Sequence, residues 1–124
     1  MNTHLYTPIG LPETLSRMVA EATMEMPVMQ QPDGAEFIRS VYLEVTEAFW
    51  RNYLVMLPLE ARQAYRDAFD KDDQTKVEAW FRSYANFEQD EEAEARGAKV
   101  LEDIALKLPA IVREEFEQLL SQRS

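Results

Sequence analysis

Apolar residues recur along this chain at helical spacing, and the longest such run lies between about residues 35 and 56. Its apolar positions form two neighbouring stripes, so more than half of the helix circumference is apolar and needs several neighbours or another subunit to cover it. At 1.5 Å per residue this helix is about 33 Å long, comparable to the diameter of a small domain. We therefore predict that it is the central helix. The first stripe is Ile38, Val41, Tyr42, Val45, Phe49, Tyr53 and Met56, and the second is Leu43, Trp50, Leu54 and Leu57.

The same periodicity predicts the remaining helices, and no segment alternates with period two for long enough to predict a strand. Proline or aspartate stands at several of the expected helix starts, with Asp72 or Asp73 as the cap of the fourth helix. The fold class is therefore all-α: a single domain, 1–124, forming a compact bundle of five to six helices, with residues 1–10 and 122–124 flexible. Besides the central helix, we expect helices at about 12–26, 58–70, 73–84, 90–109 and 109–121.

A short phrase occurs twice, 51 positions apart. Leu57-Pro58 is followed by Arg62, Tyr65 and Phe69, and Leu108-Pro109 is followed by Arg113, Phe116 and Leu120 at the same offsets. Proline disfavours the helical conformation of the residue before it and suits the first turn of a new helix, so each copy predicts a helix boundary. We expect Tyr65 and Phe69 to face inward, and each arginine to pair with an acid or a helix end, an anion site being the alternative.

Three further features carry expectations about packing. Asn52 falls near the inward face of the central helix, where we expect a polar side chain to find a hydrogen-bond partner, a ligand contact being the alternative. Gly97 lies inside a predicted helix, where glycine is unfavourable, and this predicts either a bend in the helix or another backbone packed close against it. Glu47 and Arg51 stand four residues apart on the polar face, the spacing of a helical ion pair.

Composition narrows the functional classes. The chain has no cysteine, which excludes disulfides and thiol chemistry, and a net charge of −10 that disfavours direct binding to nucleic acid or anionic membranes. It contains neither a signal-peptide pattern nor an apolar run long enough to span a bilayer, so we expect a cytoplasmic protein without membrane contact.

Candidate chemistry is sparse. The lone histidine, His4, cannot complete a triad or a histidine-based metal site by itself. The loop that begins at Asp70 starts like a calcium-binding EF-hand but has Thr75 and Phe81 where glycine and glutamate are needed. The acidic cluster from Glu88 to Glu94 is typical of a solvated helix start. We therefore expect no catalytic residue, no metal site and no cofactor.

One stretch resembles a known group of proteins. Leu57-Pro-Leu-Glu-Ala-Arg-Gln-Ala-Tyr-Arg-Asp-Ala-Phe69, followed by Asp72-Asp-Gln-Thr-Lys-Val-Glu-Ala-Trp-Phe81, is similar to a family of small all-helical bacterial domains of unknown function. The resemblance covers about residues 38–87. It implies a helical fold and a bacterial origin, and it transfers no activity and no site residue to this chain.

The function expected from these observations is protein–protein interaction or self-association through the wide apolar face of the central helix. The candidate partner-contact residues are those of its second stripe: Leu43, Trp50, Leu54 and Leu57. We expect the partner to be another protein, which the acidic charge of the chain permits to be basic, or a second copy of the chain. The alternative is an acidic inhibitor or decoy that blocks a basic nucleic-acid-binding surface of another protein.

Overall fold

The computed structural model describes Pro8 and residues 10–123, with the side chain of Arg123 left aside. Within these residues the chain is all-α, with five α-helices, one short 3-10 helix and no strand. Helix α1 is Leu11–Thr23, the 3-10 helix is Pro27–Gln30, α2 is Gly34–Val55, α3 is Leu59–Asp70, α4 is Gln74–Tyr84 and α5 is Glu91–Arg123.

The predicted central helix is confirmed as α2, which lies antiparallel to α5 over most of its length. At one end the rings of Phe37 and Phe116 meet edge to face with centroids 6.0 Å apart. Further along, the side-chain amide of Asn52 donates to the carboxylate of Asp103, 3.4 Å away, so the predicted partner of Asn52 exists. Helix α1 packs across both helices and completes a three-helix core.

The helix boundary predicted at Pro109 is wrong, because α5 continues through this proline to Arg123. A proline inside a helix costs about 3 kcal/mol relative to alanine. Burying one valine, leucine or phenylalanine side chain contributes about 1.5–3 kcal/mol, and Leu108 and Val112 are buried on either side of the exposed Pro109. A helix that ended here would carry Val112 and Phe116 away from α2, so continuation is the more stable arrangement.

Helices α3 and α4 form a hairpin that docks on the end of α2 mainly through aromatic rings. The carboxylate of Asp73 begins α4 by accepting the N–H groups of Thr75 and Lys76, which confirms one of the two predicted caps. The indole N–H of Trp80 donates to the carbonyl oxygen of Ala61 in α3 at 2.9 Å. A groove remains between α2 and α3.

Gly97 is explained by close approach of another segment. A Cβ at this position would lie 2.9 Å from Cβ of Pro8 and 3.2 Å from Cε1 of Phe87. Pro8 is buried there, although most of the two terminal segments expected to be flexible, 1–10 and 122–124, lies outside the described residues. None of the helices described is long and apolar enough to cross a membrane.

Candidate partner-binding groove

The four residues predicted to contact a partner do not form one surface. Leu43 is 52% exposed on α2, whereas Leu57 is only 4% exposed and belongs to the core. Trp50 and Leu54 are half-buried and line two different grooves. The second apolar stripe of α2 is therefore divided among solvent, core and two concave surfaces.

Leu54 lies in a groove of about 400 Å³ between the last turns of α2 and the outer face of α3. The ring of Tyr65 lines this groove. Its centroid lies 4.9 Å from that of the Trp80 ring, and this contact holds Tyr65 against α4. Burial among these rings raises the pKa of Tyr65 above its usual value of 10.0. We call this concave surface the α2–α3 groove, and it is lined by Arg51, Leu54, Val55, Arg62, Tyr65, Arg66, Phe69 and Asp70.

Exposed apolar side chains concentrate at this corner of the molecule. Val55 and Phe69 line the groove and are 66% and 40% exposed. Met56, which follows α2, is 40% exposed, and Leu59, the first residue of α3, is 61% exposed. The inward position predicted for Phe69 is therefore wrong. The ring of Phe69 packs against that of Tyr65 in a tilted arrangement with centroids 4.2 Å apart, and the Phe69 side chain remains 40% exposed.

Three arginines border this apolar surface: Arg51 from α2, and Arg62 and Arg66 from α3. All are exposed, and none takes part in an ion pair among the described residues, where the pairs are made by Lys71, Lys76 and Lys107. The ion pair predicted between Glu47 and Arg51 is absent from this part of the chain. Arg62 and Arg113, each expected to pair with an acid or a helix end, likewise form no ion pair within the described residues.

The groove face of α3 follows directly from residue spacing. Arg62, Tyr65, Arg66 and Phe69 stand at i, i+3, i+4 and i+7, which places them on one side of the helix. The smaller Ala61 and Ala68 occupy the adjacent buried side. The sequence shows this alternation of basic and aromatic residues. Whether this side of α3 faces α2 depends on how the hairpin docks.

Trp50 lies in the second groove, of about 370 Å³, between the start of α1, α2 and the segment after α4. Its ring is half-buried and makes edge-to-face contacts with Phe49 and Phe81, at centroid distances of 5.0 and 5.3 Å. Trp50 therefore makes aromatic contacts with the core and also lines this groove.

Polar groups elsewhere are engaged in holding the helices together. The hydroxyl of the buried Tyr53 donates to the carbonyl oxygen of Tyr84, and burial raises the pKa of Tyr53, an effect that the neighbouring Arg96 opposes. Asp90 in the acidic cluster accepts the N–H groups of Glu92 and Ala93 at the start of α5. Within the described residues no group of three or more acids or histidines is placed to hold a metal ion, and His4 lies outside them.

Comparison of this chain with models of known protein families, with curated proteins and with solved structures finds no match.

Proposed function

We propose that this chain is a protein–protein interaction domain and that it binds its partner through the α2–α3 groove. The observation that carries the proposal is the concentration of exposed apolar side chains at this corner, around Val55, Leu59 and Phe69. Contiguous exposed apolar surface rimmed by polar groups is typical of interaction sites. Of the four partner-contact residues expected from the sequence, Leu54 lines this surface.

The groove also has the supporting structure that an interaction site needs. Phe69 is held by Tyr65 and by an edge contact to Phe81 at 6.2 Å, and Tyr65 is held in turn by Trp80. Aromatic side chains that are already fixed lose little conformational freedom when a partner covers them. Such rings are common anchors of binding energy at protein interfaces.

The test is affinity capture from the native host with three forms of the protein. Val55→Ser combined with Phe69→Ser removes apolar area from the groove without adding charge. Leu106→Ser is the matched control, because Leu106 is 82% exposed on α5 and does not line the groove. Mass spectrometry of the captured proteins identifies the partner, and thermal unfolding establishes that each variant is folded.

We expect one partner to be retained by the wild type and by Leu106→Ser and to be lost from the double variant. Equal recovery of every captured protein by the double variant and the wild type would overturn the proposal. Light scattering on the purified protein measures its oligomeric state. If the wild type is a dimer and the double variant is a monomer, the partner is a second copy of the chain.

The second candidate function is an acidic decoy for a basic surface of another protein. It is supported by carboxylates that crowd together where α2 meets α5: burial, and repulsion from Glu44 and Glu114, raise the pKa of Glu115. This function predicts that the captured partner is basic and that its binding weakens as salt rises. If the protein is a decoy, its binding to that partner should also be unaffected by Val55→Ser combined with Phe69→Ser. This result would distinguish the decoy function from binding through the α2–α3 groove.

A further inference from the structure

The charge of the α2–α3 groove is opposite to that of the whole protein. The chain carries −10 overall, but three guanidinium groups and the single carboxylate among the described lining residues give the groove a local charge of +2. At physiological ionic strength charges are screened over about 8 Å, so a bound segment experiences mainly the charges that line the groove. The groove therefore favours a negatively charged occupant.

The arginines are available to that occupant. Arg51, Arg62 and Arg66 are exposed and form no ion pair with the described part of the chain, whereas Asp67 on the same helix is bound by Lys71 at 3.0 Å and Lys76 at 3.5 Å. An arginine presents several donors in a planar fork that matches a carboxylate in a bidentate manner. Carboxylates of a partner would gain these contacts without displacing an existing ion pair.

The apolar residues set the shape of the occupant. The described part of the chain has no strand edge to which an extended peptide could add, so an apolar surface between two helices is best matched by the apolar face of another helix. Val55 and Phe69 would contact that face, and the arginines along the rim would meet acidic residues beside it. Resting on the proposed function of this groove, we propose that it binds an amphipathic helix of a partner protein that carries aspartate or glutamate next to its apolar face.

The same charges disfavour a symmetric dimer through this surface. In a two-fold interface each groove would meet the groove of the other copy, so the positively charged surface of one copy would face that of the other. Like charges across an interface oppose association. The occupant is therefore a different protein, and it is acidic at the site of contact.

The experiment selects helix-forming peptides of about four turns from a displayed random library, a length sufficient for marginal helix formation. Selected peptides are then titrated by fluorescence anisotropy against the wild type and two triple variants. Arg51→Gln, Arg62→Gln and Arg66→Gln neutralise the groove, whereas Arg17→Gln, Arg39→Gln and Arg113→Gln change the net charge equally at exposed arginines that do not line it. Thermal unfolding establishes that both variants fold.

We expect enrichment of peptides with helically spaced apolar residues and a net negative charge. Their affinity should fall about tenfold or more in the groove variant, corresponding to about 1.4 kcal/mol, and stay within about twofold in the control variant. Binding to the wild type should weaken as salt is raised.

Other outcomes separate this inference from the proposed function. If Val55→Ser with Phe69→Ser abolishes peptide binding while neutralising the groove arginines changes nothing, or if neutral or basic peptides are enriched, the acidic partner is refuted and the interaction groove stands. If no peptide is enriched, or none depends on either set of residues, both are refuted. A single-stranded oligothymidine is tested in the same way. If it binds more tightly than any peptide and its binding depends on the groove arginines, these arginines bind phosphates and the inference is overturned.

Discussion

The indole N–H of Trp80 in α4 donates a 2.9 Å hydrogen bond to the main-chain oxygen of Ala61 in α3. The ring is buried, and its other contacts include Tyr65 at a centroid distance of 4.9 Å. Through this one side chain, α4 sets the position of α3 and of the aromatic floor of the α2–α3 groove. The stability of the hairpin and the shape of the candidate site therefore depend on the same residue.

Replacing Trp80 with phenylalanine should lower the free energy of unfolding by about 1–3 kcal/mol, because the hydrogen bond is lost and the smaller ring leaves a void. Urea unfolding measures the change. The matched control is Trp50→Phe, since Trp50 is half-buried and its indole N–H has no protein partner in the described part of the chain. A loss at Trp50 equal to or larger than that at Trp80 would contradict the role assigned to this hydrogen bond.

Replacing Gly97 with alanine should destabilise the protein despite the higher helix propensity of alanine. The propensity gain is about 1 kcal/mol, whereas overpacking of a close contact typically costs about 1–3 kcal/mol. Because the new Cβ would lie 2.9 Å from Cβ of Pro8, Pro8→Gly should reduce the cost in a double-mutant cycle. A stabilised Gly97→Ala protein would mean that Pro8 and Phe87 move aside freely.

The two Leu-Pro phrases should respond to alanine in opposite directions. Pro109 lies inside α5 and its exposed ring interrupts the helical hydrogen bonds, so Pro109→Ala should raise the free energy of unfolding by about 1–3 kcal/mol. Pro58 caps the start of α3 with φ of −64°, which suits proline, so Pro58→Ala should lower it by up to about 1 kcal/mol. Thermal or urea unfolding of both variants distinguishes these outcomes, and changes of the same sign would refute the contrast.

Glu115 should give the stability a specific dependence on pH. Burial and repulsion from Glu44 and Glu114 raise the pKa of Glu115, so the folded state disfavours its charged form. As pH rises from the unfolded-state pKa of Glu115 through its higher folded-state pKa, ionisation of this group therefore lowers the free energy of unfolding. Glu115→Gln should stabilise the protein at about pH 7 and have little effect at about pH 3, where the carboxyl is protonated in both states.

The control for this prediction is Glu117→Gln on the exposed side of α5. It removes the same charge from the same helix without relieving the burial at Glu115. Equal stabilisation by the two substitutions at neutral pH would attribute the effect to the net charge of −10 rather than to the surroundings of Glu115.

Residue spacing alone determined much of the helical content. The range predicted for the central helix, about 35–56, agrees with α2 at Gly34–Val55, and Asp73 caps α4 as one of two predicted candidates. Apolar periodicity and capping depend on interactions within a few residues, so the sequence contains them completely. For Gly97 the sequence left open a bend or a closely packed backbone, and the structure places the side chains of Pro8 and Phe87 against it.

Tertiary structure decided which local signals prevailed and which apolar residues were covered. The boundary signal at Pro109 was overridden because α2 buries residues on both sides of it, whereas the same signal at Pro58 operates where the chain turns into the hairpin. Leu57 and Phe69 are both apolar at helical spacing, yet Leu57 is core and Phe69 is open. Spacing specifies the side of a helix on which a residue lies, but burial depends on a surface brought there by distant parts of the chain, and that docking created the α2–α3 groove.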